Sequence, residues 1–126
     1  MGKIKCKCGH IIVDQTDNIS YKGYILPDSK VLKVLNVFTE SIDNLTDSII
    51  QNKRDKWIKE NFSDSYPKNL KNSDMIHDLI IDILVETTQD IFECENCGRI
   101  AIEYGNENKI IFFSPDNTDT KGIFNE

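Results

Sequence analysis

The chain has 126 residues, of which 39% are hydrophobic and 29% charged, and its formal net charge is −6. This length suits one compact domain, and the composition is typical of a folded chain rather than a disordered one. The longest apolar run is far shorter than the roughly 20 residues of a membrane-spanning helix, and the N-terminus lacks the apolar core of a secretory signal. We therefore predict a single domain over residues 1–126, cytoplasmic and without a membrane segment.

The negative charge is concentrated in the second half of the chain. Residues 1–63 carry ten Lys and Arg against eight Asp and Glu, a balance of +2, whereas residues 64–126 carry five against thirteen, a balance of −8. This acidic half favours a basic protein partner over nucleic acid. The carboxylates predicted as partner contacts are Asp78, Asp82, Glu86, Glu93, Glu95, Glu103 and Glu107. An acidic surface that serves only solubility is the alternative.

Short strand-forming runs begin the chain and flank two of its cysteines. Residues 3–7 and 11–13 surround "CKCGH", which predicts a hairpin with this segment at its tip. The run "SYKGYIL" predicts a third strand, which stops at Pro27.

From Asp28 the apolar residues follow the period of a helix. Steps of four and three residues alternate along one stripe: Val31, Leu35, Phe38, Ile42, Leu45 and Ile49. This spacing predicts a first helix that turns the stripe toward the core, although the stripe could instead face a second subunit. Asp28 or Ser29 is expected to cap the start of this helix.

Two more helices and three strands are predicted after the first helix. Trp57, Ile58 and Phe62 predict a short second helix, and residues 74–88 predict a third helix whose nearly continuous apolar surface should make it the most buried. Strands are expected at 91–93, 100–104 and 110–113, followed by a frayed tail over 116–126.

These elements predict an α+β fold. A zinc-ribbon-like antiparallel sheet is formed by both chain ends, about residues 1–27 and 90–115. A helical region of two or three helices is inserted between them over about residues 28–89.

The four cysteines form two pairs, each followed by glycine, in "CKCG" and "CENCG". Two residues between Cys94 and Cys97 let both sulfurs reach one ion, whereas the single residue between Cys6 and Cys8 needs a tighter turn. In a reducing compartment such cysteines favour metal ligation over disulfides. We predict that these four residues bind a structural Zn²⁺ whose thiolate charge is offset by Lys3, Lys5, Lys7 and Arg99, unless these cations are simply exposed strand residues.

Several alternatives for the cysteines stay open at this point. Iron can occupy the same four-thiolate cage, the CxxC could be redox-active, or the thiols could be unmetallated or form disulfides. His10 could replace Cys6 or Cys8 as a ligand. Four thiolates fill a tetrahedral ion, so a zinc site of this kind would join the chain ends rather than activate a substrate.

Few residues suggest catalysis. The chain has no GxSxG, no glycine-rich phosphate loop and no HExxH, and His77 near Asp78 and Asp82 is typical of a solvent-facing helix edge. We predict that the protein is not an enzyme and binds another protein. The alternative is a nucleic-acid-associated zinc ribbon whose contacts would be Lys3, Lys5, Lys7 and Tyr24.

Three segments, "CKCGHIIVDQTDNISYKGYILPD", "IFECENCGRIAIE" and "IIFFSPD", resemble a group of small, uncharacterised bacterial proteins with a split zinc ribbon. The resemblance covers roughly the first 28 and last 35 residues and implies that Cys6, Cys8, Cys94 and Cys97 are metal ligands. By analogy of size, charge and missing catalytic motifs alone, the chain is also similar to bacterial immunity proteins, which implies a regulatory or neutralising role.

Overall fold

The computed structural model describes residues 2–105, 108–117 and 119–125. The elements, in chain order, are β1 (Gly2–Lys5), β2 (Ile11–Asp14), β3 (Lys22–Ile25), α1 (Asp28–Ile50), α2 (Arg54–Asn61), α3 (Asn72–Thr87), β4 (Gln89–Glu93), β5 (Ile100–Tyr104) and β6 (Lys109–Phe113). The fold is α+β as predicted, with strands from both chain ends and three helices between them.

The chain divides into two compact units. The first, here called the strand unit, joins Met1–Ile25 with Thr88–Glu126, and the second, the helical unit, is Leu26–Thr87. The single-domain assignment of residues 1–126 stays a prediction. Within the described ranges, no helix has the length and apolar character needed to cross a membrane.

The strand unit contains two antiparallel sheets. β1 and β2 form a hairpin, and the other strands form a four-stranded sheet in the order β3-β4-β5-β6. In that sheet Lys22 of β3 lies opposite Phe92 of β4, so the backbone hydrogen bonds of one sheet join the two ends of the chain. Lys22 also donates to both carboxylate oxygens of Asp14 at 2.9 and 3.0 Å, which links this sheet to the hairpin.

The core of the strand unit lies beside its cysteines. Ile4 and Ile12 face each other across the hairpin, and Phe92 faces Ala101 across the larger sheet. All four are buried in one cluster that also contains Cys6 and Cys94. Because successive side chains of a strand point to opposite faces, the register of each strand decides which residues reach the cysteine cluster.

The C-terminal tail is docked where we predicted that it frays. Backbone N–H groups of Gly122 and Ile123 donate to the two carboxylate oxygens of Glu93 at 2.8 and 3.2 Å. The ring of Phe124 lies close over Gly23, where an added Cβ would be 3.3 Å from it. The tail is ordered by these specific contacts, which composition does not reveal. Residues 118 and 126 of the predicted frayed segment lie outside the described residues.

The helical unit is built around one buried cluster of Leu45, Trp57, Ile58 and Met75. Arg54 at the start of α2 holds the loop before α3, because its guanidinium donates to the carbonyls of Lys68 and Leu70 at 2.8 and 2.5 Å. Lys68 and Leu70 lie outside the helices, so these hydrogen bonds satisfy carbonyls that accept no bond within a helix.

Two expectations about α1 differ from the structure. α1 begins at Asp28 with Pro27 at the N-cap position, and no side-chain cap hydrogen bond forms at this end of the helix. Asp28 therefore sits in the first turn, where its charge still suits the positive end of the helix dipole. The stripe of α1 is largely exposed apart from buried Leu45 and half-buried Val31. As predicted, α3 has the most buried residues of the three helices, although Ile81 and Val85 are exposed.

Candidate metal centre

The first cysteine pair lies in the turn between β1 and β2. The Cys6 N–H donates to the His10 carbonyl at 2.9 Å, and the Gly9 N–H donates to the Cys6 carbonyl at 2.9 Å. Gly9 has a φ of +97°, a conformation that side-chain-bearing residues rarely adopt. The glycine thus permits the tight turn that one intervening residue requires of Cys6 and Cys8.

The second pair lies in the turn between β4 and β5 and repeats the same bonds one residue further apart. The Cys94 N–H donates to the Arg99 carbonyl at 2.8 Å, and the Gly98 N–H donates to the Cys94 carbonyl at 2.9 Å. Gly98 has a φ of +78°. The extra residue in CxxC accounts for the longer turn. We call the two turns, residues 6–9 and 94–98, the first and second knuckle, and both have the same pattern of backbone hydrogen bonds.

The four sulfurs form one group. All Sγ atoms of Cys6, Cys8, Cys94 and Cys97 lie within 4.8 Å of one another. Cys6 is 3.5 Å from Cys97 and Cys8 is 3.6 Å from Cys94, so each short contact joins the two knuckles. Four sulfurs at bonds of about 2.3 Å around a tetrahedral ion are about 3.8 Å apart, so the spacing fits one metal ion.

His10 does not belong to this sulfur group. Its Nε2 lies 3.8 Å from Glu95 Oε1, a contact that is ionic only when the imidazole is protonated. The residues that could hold a metal at this place are the four cysteines. The substitution of His10 for Cys6 or Cys8, left open by the sequence, therefore has no support in this geometry.

The environments of the thiols differ. Burial raises the pKa of Cys94 to about 12 and also raises the pKa of Cys6. At exposed Cys8 the side-chain amide of Asn96, with Nδ2 3.5 Å from the sulfur, is the main cause that lowers the pKa to about 6. A bound metal would replace these protons, because a coordinating thiol is deprotonated.

Arg99 contributes a donor to the fourth sulfur. Burial acts to raise the pKa of Cys97, but the Arg99 backbone N–H, the Cys6 thiol and the Arg99 guanidinium together lower it. The guanidinium Nη1 lies 3.4 Å from Cys97 Sγ. The structure thus places Arg99 where the sequence predicted a compensating cation. Asn96 was missed, and its position between the two cysteines of CENC was the available signal.

Of the lysines considered as further compensating charges, none has a described contact with a sulfur. Lys7 Nζ instead lies 6.0 Å above the centre of the Phe112 ring, and Lys3 and Lys5 are exposed on the hairpin. Among the described contacts, the positive charge next to the sulfurs therefore comes from Arg99, which follows the second knuckle.

The tail passes directly over the second knuckle. A Cβ built on Gly98 would overlap the carbonyl oxygen of Thr120, and Gly98 itself is buried. The sequence indicated only that this glycine permits the turn. It did not indicate that the missing side chain lets the backbone of Thr120 pack against the turn. The second knuckle and the docked tail therefore pack against each other at Gly98.

The predicted partner carboxylates fall into separate places. Asp78, Asp82 and Glu86 follow one another at four-residue steps on α3, which places them in one row along the helix. Asp74, which was not among the predicted contacts, extends this row by one more step of four. We call these four residues the acidic row.

Two members of the acidic row already have partners in the helical unit. The Tyr66 hydroxyl donates to Asp78 Oδ2 at 2.5 Å, and burial together with this carboxylate raises the pKa of Tyr66 to about 12. Lys33 of α1 donates to Glu86 Oε1 at 3.0 Å. His77, beside Asp78, is well exposed, with Nδ1 3.6 Å from Asp78 Oδ1.

The remaining predicted carboxylates belong to the strand unit. Glu95 is exposed and Glu103 is half-buried, and burial, with Asp90 and Asp14 adding to it, raises the pKa of Glu103. Glu93 is only 5% exposed and its carboxylate is occupied by the tail, so we leave it out of the contact set proposed below. Glu107 lies outside the described residues.

Comparison with protein families covers nearly the whole chain. The family model described as a domain of unknown function (DUF8617) matches residues 2–117. The chain belongs to the DUF8617 family. The matched range includes both knuckles of this DUF8617 domain and ends before its docked tail segment of Thr120–Phe124. No curated protein and no solved structure matches the sequence.

Proposed function

We propose that this DUF8617 domain is a non-catalytic protein-binding domain in which a structural zinc ion holds the strand unit together. The observation that carries the proposal is the group of four sulfurs contributed equally by the two knuckles. Four thiolates complete a tetrahedral zinc ion and leave no position for water or substrate. The metal then serves folding rather than chemistry.

Zinc is the proposed metal, and iron is the competing one, because both accept four thiolates in this geometry. Elemental analysis of the purified chain, together with a free-thiol titration, tests the site. About one zinc per chain and no reactive thiol is the expected result. A chain without metal and with four reactive thiols would remove the basis of the proposal, and iron would correct the identity of the ion.

The proposed partner is a basic protein that binds the helical unit at the acidic row. Four carboxylates at regular steps on one helix produce a negative ridge, and complementary charge accelerates encounter with a basic surface. Neutralising or regulating such a partner, as immunity proteins do, is the role that we propose.

The partner proposal is tested by capture with matched variants. Asp74→Asn combined with Asp82→Asn removes two of the four charges of the acidic row, and both positions are exposed. The control is Asp55→Asn combined with Glu60→Gln, which removes the same charge from exposed positions on α2. The proposal is supported when a basic protein binds the immobilised wild type and the control but not the acidic-row variant. Equal binding to all three contradicts it.

The second candidate is binding of nucleic acid by the strand unit. Lys3, Lys5 and Lys7 are exposed on the hairpin, and Tyr24 is 65% exposed, as a base-stacking side chain would need to be. Oligonucleotide binding that weakens steeply with salt, and that is lost in Lys3→Gln with Lys5→Gln, would favour this function. Absence of binding at low salt leaves the protein-binding proposal.

A further inference from the structure

One face of α1 carries large apolar side chains that stay exposed. Leu35, Phe38, Ile42 and Ile49 are 52, 40, 40 and 39% exposed. Their spacing of three, four and seven residues places them on the same side of the helix. We call these four residues the open stripe. A continuous apolar strip of this kind marks an interaction surface more often than isolated exposed residues do.

The positions that border the open stripe carry no charge. In coiled-coil terms the stripe occupies the seam, and the flanking positions on its two sides are Leu32, Thr39 and Thr46, and Val34, Ser41 and Ser48. Flanking charges normally set which helix pairs with which. Their absence means that two copies of an acidic chain meet no like-charge repulsion along this seam.

The centre of the open stripe matches itself when the helix direction is reversed. The apolar steps from Val31 to Ile49 read four, three, four, three, four in either direction, but Leu45 is buried and Val31 is half-buried, so the exposed pair that meets across the axis is Phe38 and Ile42. A second α1 that runs antiparallel about a twofold axis near Glu40 therefore places each Phe38 opposite the partner helix's Ile42 position. Such a self-complementary patch is the property that a twofold dimer interface requires.

The charges of α1 favour the antiparallel direction. Asp28, Lys30 and Lys33 give its first half a net charge of +1, whereas Glu40, Asp43 and Asp47 give its second half a net charge of −3. Antiparallel packing brings each basic half beside an acidic half and opposes the two helix dipoles. The charged residues lie away from the seam, so this is a bias in direction and the apolar stripe supplies the binding energy.

The helical unit also contains an antiparallel pair of helices, α1 and α3, against which a second pair could pack. α1 packs along α3, and the Lys33–Glu86 ion pair places the start of α1 beside the end of α3, so the two helices are antiparallel. A pair of helices with an open apolar face is stabilised when another pair covers it, which gives a four-helix arrangement. A second copy of this chain supplies such a pair.

We propose that two copies of this chain associate through the open stripes of their α1 helices, packed antiparallel. Side chains of this size and exposure contribute on the order of 400 Å² per chain. That is about half of the roughly 800 Å² per partner in a standard interface. We therefore expect a weak, reversible dimer.

Sedimentation equilibrium of the full chain over a wide concentration range tests the dimer. The expected result is a monomer–dimer equilibrium that Phe38→Lys shifts at least tenfold toward monomer. Asn36→Lys is the matched control, because it adds the same charge at an exposed position of α1 away from the stripe. Trp57, buried in the helical unit, reports by fluorescence that both variants are folded. A wild-type monomer at every concentration, or a dimer equally stable in Phe38→Lys, overturns the proposal.

A charge-pair variant tests the direction of packing. Phe38→Lys combined with Ile42→Glu sets opposite charges across an antiparallel seam but like charges across a parallel one. The double variant should dimerise at least several-fold more tightly than either single variant, and this gain should shrink at high salt. Dimerisation no better than that of the single variants overturns the antiparallel arrangement.

Discussion

The sulfurs of Cys6 and Cys97 lie 3.5 Å apart although 91 positions separate them in the chain. The second close contact, Cys8 to Cys94, spans 86 positions. A cross-link between such distant residues removes much conformational freedom from the unfolded chain, and metal binding is coupled to folding for the same reason.

Loss of one ligand should destabilise the strand unit. Cys97→Ser is expected to abolish stoichiometric metal binding and to lower the free energy of unfolding of this unit by several kcal/mol, because the remaining thiolates cannot complete the site. Amide hydrogen exchange of β4 and β5 measures the effect, and excess chelator on wild type should reproduce it. An unchanged melting temperature would argue that the four cysteines share no metal. The only tryptophan, Trp57, reports separately on the helical unit.

The two knuckle glycines should respond differently to alanine. Both have positive φ, so Gly9→Ala is expected to lose about 1–2 kcal/mol of stability from backbone strain alone, since nothing lies within 4 Å of its added Cβ. Gly98→Ala should lose more, because the methyl group also displaces Thr120 of the tail. Denaturant unfolding of the two variants gives the comparison. Equal losses would mean that the tail does not press on the second knuckle.

Glu93 should control the order of the tail. Glu93→Gln turns one carboxylate oxygen into an amide donor that faces backbone N–H groups, so we expect a loss of about 1–3 kcal/mol. Hydrogen exchange at Gly122 and Ile123 and tryptic cleavage after Lys121 should both accelerate.

The control for Glu93 is Glu86→Gln, which removes an exposed ion pair and should change stability by less than about 1 kcal/mol. Unaltered cleavage after Lys121 in Glu93→Gln would show that the tail is held by other contacts.

The helical unit should lose stability in strong alkali through Tyr66. Burial and Asp78 raise the pKa of this phenol in the folded state to about 12, above the value near 10 of an unfolded chain. Stability from this group is therefore complete below pH 10 and is lost as the pH rises toward 12. Trp57 fluorescence during denaturation, measured from pH 9 to 12, follows the loss.

Tyr66→Phe should flatten this alkaline decline while losing about 1 kcal/mol at neutral pH, where the hydrogen bond to Asp78 is missing. Tyr24→Phe, at an exposed ring, is the control and should leave the decline in place. A decline of the same size in Tyr66→Phe would assign it to another group.

The sequence was sufficient to predict that the four cysteines lie together, because the information for each cysteine pair is local. Each knuckle is recognisable from two cysteines and a glycine within five residues, and the strand-forming runs beside them place both knuckles at turns. Their convergence followed from the absence of any other cysteine. The same reasoning recovered the order of strands and helices.

The features that sequence reasoning missed depend on approach between distant segments. Glu93 is one of thirteen acidic residues in its half of the chain, and nothing in its neighbours indicates that tail amides will reach it. The period of α1 showed which side chains share a face but not which face would be covered. Smaller residues on the adjacent face, such as Val34 and Val37, are half-buried instead of the large ones.

The discontinuity of the strand unit has a consequence for synthesis. The helical unit, Leu26–Thr87, is continuous in sequence and can fold on the ribosome once it has emerged. Cys6 and Cys8 emerge first but must wait until Cys94 and Cys97 have been translated before the site has four ligands. During that interval two thiols are open to oxidation or to a competing metal. With the zinc ion that we propose, correct loading of the site would therefore depend on how fast the ribosome translates residues 26–87.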